Sequence, residues 1–101
     1  MVKDFYYAEL FEIYKGLLTE RQREMFSSFF LFDLSLSEIA EPEGTSRQSV
    51  YSALKQVKAK LDEYESALGL LSKNKSIYAV AEDLKKQGNP LGDKLTEILE
   101  K

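Results

Sequence analysis

LSEIAEPEGTSRQSVYSALKQVKAKL, residues 36–61, reads as two helices joined by a turn, and it decides the fold. Ser35 caps the first helix, and Glu38 stands three residues on, where its carboxylate reaches back to the free N–H of the cap. Leu36, Ile39 and Ala40 are the apolar residues of that helix. Pro42 is expected to stop it, because the ring disfavours helical geometry at Glu41 and removes a donor. Gly44 supplies the sharp turn, reaching positive φ without steric cost. Ser46, or Thr45, caps a second helix expected to run to about Ala67. This is the helix-turn-helix pattern: the first helix braces the second, whose N-terminal side chains enter the major groove. Ile39, Ala40, Val50 and Leu54 would form the small core between the two, with Ala40 allowing close approach.

The outward face of the second helix carries Arg47, Gln48, Ser49, Tyr51 and Ser52 near its start. Arg can bind guanine bidentately and Gln can bind adenine, so the residue types suit base edges. Lys55, Lys58 and Lys60 lie further along and suit phosphates. The charge pattern singles out the same stretch. Residues 1–44 hold four basic residues against nine acids, residues 45–61 hold four basic residues and no acid, and residues 62–101 hold six Lys against eight acids. A segment of +4 in a chain of net charge −3 is a local feature. The alternative is a solvated helix face on a protein-binding scaffold, and Glu41 and Glu43 beside the turn would repel phosphate.

Outward from this unit the rest of the chain reads as helix. Phe5, Tyr6, Ala8, Leu10, Phe11, Ile13, Tyr14 and Leu17 give a broad apolar face to a first helix that Gly16 ends. Thr19 and Gln22 form a capping box at the start of a second helix. Its Met25, Phe26, Phe29 and Phe30 make one buried stripe while Arg21, Arg23 and Glu24 face out. The long fourth helix steps through Val50, Leu54, Val57, Leu61, Tyr64 and Leu68 in a heptad-like seam. The seam packs within its own chain or, beyond Leu61, against another helix of this chain or a second copy; the intramolecular option is favoured. Gly69 and the polar run Ser72–Ser76 are expected to break it. A fifth helix then turns Ile77, Tyr78, Val80, Ala81 and Leu84 inward. Gly88-Asn89-Pro90 stops it, and a last helix offers Leu91, Leu95, Ile98 and Leu99. The expected architecture is all-α, a small helical bundle containing a helix-turn-helix unit. Residues 1–71 form that domain, without winged elements, and residues 72–101 a C-terminal helical extension.

Composition excludes several classes. The 101 residues contain no Cys and no His, so the commonest metal ligands and the commonest general base are missing together. There is no phosphate-cradling Gly loop and no paired-carboxylate motif, so no catalytic residue, cofactor or metal site is expected, and the chain is read as not an enzyme. The opening MVKDFYYAEL lacks the features of a signal peptide, and apolar runs such as Phe29–Phe32 are far shorter than a membrane span. A cytoplasmic protein without membrane insertion is expected.

LLTERQREMF, followed by LSLSEIAEPEGTSRQSVYSALKQVKAKL, resembles the C-terminal promoter-reading region of bacterial sigma factors. It resembles more closely the YlxM-like family of small helix-turn-helix proteins, which shares the Tyr-rich opening Phe5-Tyr6-Tyr7 and the extended helix near DEYESALGLL. The resemblance covers residues 4–71. It implies a bacterial cytoplasmic protein that is either a DNA-binding regulator or an accessory factor of the signal recognition particle and its GTPase. At Pro42-Glu43-Gly44 and Thr45 the chain departs from the family's acidic-aromatic-Gly turn, which should weaken the packing of the turn and shift the second helix. Because helix-turn-helix proteins commonly read two half-sites, a homodimer is expected.

Overall fold

The computed structural model describes residues 3–101. Among them are six α-helices and no strand: α1 Phe5–Tyr14, α2 Glu20–Phe30, α3 Leu36–Glu43, α4 Arg47–Leu68, α5 Leu70–Lys86 and α6 Leu91–Leu99, with a short 3₁₀ turn at Lys15–Leu17. The chain divides into two compact units, Met1–Leu68 and Gly69–Lys101.

The first unit is built on one stripe of α4. Val50, Leu54, Val57 and Leu61 are all buried, and α1, α2 and α3 each pack against that helix. Each such side chain removed from water contributes roughly 1.5–3 kcal/mol before conformational entropy is charged against it. Met25, Phe29, Ile39, Ala40, Val50 and Leu54 form one cluster joining α2, α3 and α4. Phe26 stacks on Phe11 at 4.5 Å and on Phe30 at 4.2 Å, filling the space between α1 and α2. Tyrosine hydroxyls tie α1 and the turn after it to α4. Tyr7 donates to Asp62 at 2.8 Å, Tyr14 to Glu65 at 2.7 Å, and Tyr64 to the Leu17 carbonyl at 3.4 Å. The seam is thus intramolecular as far as Tyr64, while Leu68 is exposed.

Both expected capping boxes are present, Thr19 with Gln22 and Ser35 with Glu38. Hydrogen bonds from the Ser35 backbone and hydroxyl region hold the Glu38 carboxyl below its ordinary range. Pro42, however, does not stop α3, which runs on to Glu43. The ring's fixed φ is compatible with helix, and in the last turn it forfeits a single N–H. The stop is Gly44 at φ 66, where Gly44 N–H bonds the Glu41 carbonyl and Thr45 N–H bonds the Ala40 carbonyl, each at 3.1 Å. Arg21 also holds Glu43 at this turn, at 3.0 Å.

Three further expectations are corrected. Phe5, Tyr6 and Leu17 do not join the core, Leu17 falling in the 3₁₀ turn after α1, and Leu10, Phe11 and Tyr14 are the buried residues of α1. Arg23 is half-buried, donating to the Leu18 carbonyl at 2.7 Å and the Lys15 carbonyl at 3.3 Å, so it closes the 3₁₀ turn. Ser72–Ser76 does not break the chain, because it contains neither Gly nor Pro and its residues continue α5. The break is at Gly69 alone, in left-handed geometry at φ 62.

The second unit is the hairpin α5–α6. Its turn closes with Gly88 at φ 71: Gly88 N–H bonds the Lys85 carbonyl at 3.0 Å and Asn89 N–H the Leu84 carbonyl at 2.9 Å. Asn89 then accepts Leu91 N–H at 3.0 Å to start α6. The helices meet at Ala81 and Gly92, both buried. A Cβ at Gly92 would lie 2.6 Å from the Ala81 carbonyl oxygen, so the two backbones are in contact there. Ile77 and Val80, expected inward, are exposed.

Candidate nucleic-acid interface

The start of α4 is fixed by Ser46, whose hydroxyl oxygen accepts Ser49 N–H at 3.1 Å and whose O–H donates to the Ser49 hydroxyl at 3.0 Å. The cap satisfies a free donor of the first turn and sets which side chains of that turn face solvent. Val50 and Leu54 anchor the opposite side in the cluster with Ile39 and Ala40. Given that anchoring, Gln48, Ser52 and Lys55, spaced by four and three, form one exposed face. Arg47 and Tyr51 flank it, and with Gln48 and Leu36 they line a shallow open depression between the starts of α3 and α4. Lys55 Nζ lies 5.6 Å from the centre of the Tyr51 ring, which stacks a cation beside an aromatic face on the same surface.

Of the residues singled out from the sequence, Arg47, Gln48, Tyr51, Ser52 and Lys55 are brought together here. Ser49 is exposed, but its hydroxyl is engaged by the cap. Lys58 stands apart. Its Nζ lies 4.8 Å from the Tyr7 ring and 5.7 Å from the Phe30 ring, and the residue is half-buried. It tethers α4 to α1 and α2, a role that the charge count along α4 did not reveal. The Tyr7 hydroxyl beneath it is pushed up to about 12, chiefly by its hydrogen bond to Asp62 and then by burial. Leu36, expected only as an apolar residue of the first helix, contributes to the rim of the depression from its place in the first turn of α3.

The electrostatics are mixed. Glu41 and Glu43 are exposed at the end of α3, and the Arg21 contact offsets the second of them. Among the described residues no cluster of acids forms a metal-binding group. No helix among them is long and apolar enough to cross a membrane.

A family described as "Putative helix-turn-helix protein, YlxM / p13 like", UPF0122, matches residues 1–100. That description is of a helix-turn-helix protein and not of an enzyme family. Similar proteins carry the same family name. One from Halalkalibacterium halodurans is 46% identical over 76 residues, covering 75% of this chain and 70% of its own length. One from Shouchella clausii is 44% identical over 77 residues, covering 76% and 71%. One from Bacillus thuringiensis is 52% identical over 64 residues, covering 63% and 58%.

Proposed function

The chain belongs to the UPF0122 family of YlxM- and p13-like helix-turn-helix proteins, and from that premise we propose that it is a DNA-binding regulatory protein of the bacterial cytoplasm. The observation that carries this reading is the exposed face of Gln48, Ser52 and Lys55 with Arg47 and Tyr51 beside it, on the one basic stretch of an acidic chain. Gln48 and Arg47 supply base-edge chemistry, as in the promoter-reading regions that residues 36–61 resemble. Lys55 and Lys60 supply phosphate contacts, while Lys58 is held by Tyr7 and Phe30 and contributes less. Two half-sites would be read by a homodimer.

The test is fluorescence anisotropy of a labelled duplex titrated with protein over a salt series. With about three phosphates engaged, log K falls against log salt with a slope of about −3. Arg47→Ala combined with Lys55→Ala is expected to abolish binding, and Lys58→Ala to spare most of it. Unchanged binding by the double variant would sink the reading.

A second reading is favoured by one other surface. Phe5 is 88% exposed and lies with Leu31 beside Asp4, Asp33 and Lys3, which pairs with Asp33, and Phe32 next to Asp33 in the chain is 71% exposed. An exposed apolar patch of this kind suits a protein partner, and the accessory role toward the signal recognition particle GTPase would use it. Binding of that GTPase that is lost on Phe5→Ser with Phe32→Ser, while duplex binding persists, would favour this second role.

A further inference from the structure

The α5–α6 hairpin leaves one of its flanks apolar and open. Ile77, Val80 and Leu84 step by three and four along α5, and Leu91, Leu95 and Ile98 step by four and three along α6. With Ala81 against Gly92, helical periodicity brings the two stripes to the same flank of the antiparallel pair. The other flank is marked by Lys85, which lies 4.0 Å from Asp93 and 3.4 Å from Glu82. On the apolar flank Val80 is 54% exposed, Leu91 56% and Ile98 60%, and Ile77 is exposed as well. Leu84 and Leu95 are half-buried between the helices.

We propose that this flank is the surface on which a second copy of the chain docks, pairing two hairpins into a four-helix bundle. Three observations select a second copy. A helix pair has a single layer, and an amphipathic layer buries its stripe against another. A unit of fewer than about 40 residues commonly needs such association to hold its fold. The face is also self-complementary. A two-fold axis parallel to the hairpin lays α5 of one copy over α6 of the other, so that every neighbour in the bundle is antiparallel. The same operation brings the exposed Asp83, at the outer edge of α5, over the exposed Lys94, at the outer edge of α6, once on each side. The largest apolar patch of a typical monomer, roughly 300–600 Å², is often functional, and here Val80, Leu91 and Ile98 are each more than half exposed. A stable interface buries about 1,200 Å² or more in total, so the polar rims of both helices are covered along with the stripes.

This names the surface for the homodimer in the functional reading above, and its test needs no nucleic acid. The full chain is examined by sedimentation equilibrium at concentrations up to about 100 µM, well above the Kd of a modest dimer. Twice the chain mass of 11.6 kDa is expected. Val80→Lys with Ile98→Lys places four charges in the interface and is expected to give the single-chain mass with helicity retained, whereas Glu97→Lys on the far flank keeps the doubled mass. Should the Lys pair lose helicity, Val80→Ser with Ile98→Ser replaces it and is expected to weaken association at least tenfold. A wild-type chain of single mass at the highest concentration overturns the proposal. So does a folded Lys or Ser variant that associates as the wild type does. A dimer that ignores duplex DNA would leave this surface standing and sink the regulator reading, and a monomer that binds duplex would do the reverse.

Discussion

The two units of the chain hold helices together by opposite means. In Met1–Leu68, large side chains fill a volume: Phe26 stacks between Phe11 and Phe30, and Leu54 and Leu61 are wholly buried. In Gly69–Lys101, two helices touch through the absence of a side chain, at Ala81 and Gly92. The first means draws in apolar residues from several helices and leaves Gln48, Ser52 and Lys55 of α4 exposed. The second brings backbones close but covers little, so Val80, Leu91 and Ile98 stay outside. Where large residues converge, their side chains bury one another, and where a small residue makes the contact, the helices meet while covering little side-chain surface.

The largest effect that sharpens this contrast is expected in the first unit. Leu54→Ala removes a fully buried side chain from the cluster under α4 and should destabilise the chain by about 2–5 kcal/mol, read from urea unfolding. A loss below 1 kcal/mol, on the scale of a surface change, would break the picture of α4 as the shared core element. Next comes Gly92→Leu, which drives a side chain into the backbone of Ala81 and Lys85. A cost of about 1–3 kcal/mol is expected, confined to the hairpin. Amide hydrogen exchange should show α5 and α6 losing protection while α2–α4 keep theirs. Equal loss throughout would mean that the two units unfold as one.

The smallest effect concerns pH. Because the folded Glu38 carboxyl is held low, its contribution is present above the unfolded value of about 4.3 and disappears as pH falls through the folded value. Glu38→Gln should therefore lower the melting temperature slightly at neutral pH and match the wild type in acid. A gap that widened on acidification would contradict the capping role.

Much of this was legible in the sequence, because it rests on short-range rules. Capping at Thr19, Ser35 and Ser46 and the turn at Gly44 follow from residues within four positions of one another. The cluster of Ile39, Ala40, Val50 and Leu54 follows from period. What escaped was set by tertiary context or by weak local signals. Pro42 sits inside α3 because a last turn tolerates one missing donor, and Ser72–Ser76 stays helical because polarity alone does not break a helix. At the candidate interface the residue types at 47, 48, 51, 52 and 55 were readable. The capture of Lys58 by Tyr7 and Phe30 was not, since its aromatic partners lie on α1 and α2.

The notch at Gly92 also carries information. A slip of one residue between α5 and α6 would set Leu91 or Asp93 against Ala81, and neither leaves room for backbone contact. A slip of a full turn would present Leu95 or Thr96, again with a side chain in the way. Gly88, the nearest other glycine, is committed to the turn. The hairpin therefore has one alignment, and a single missing methyl group acts as its index mark.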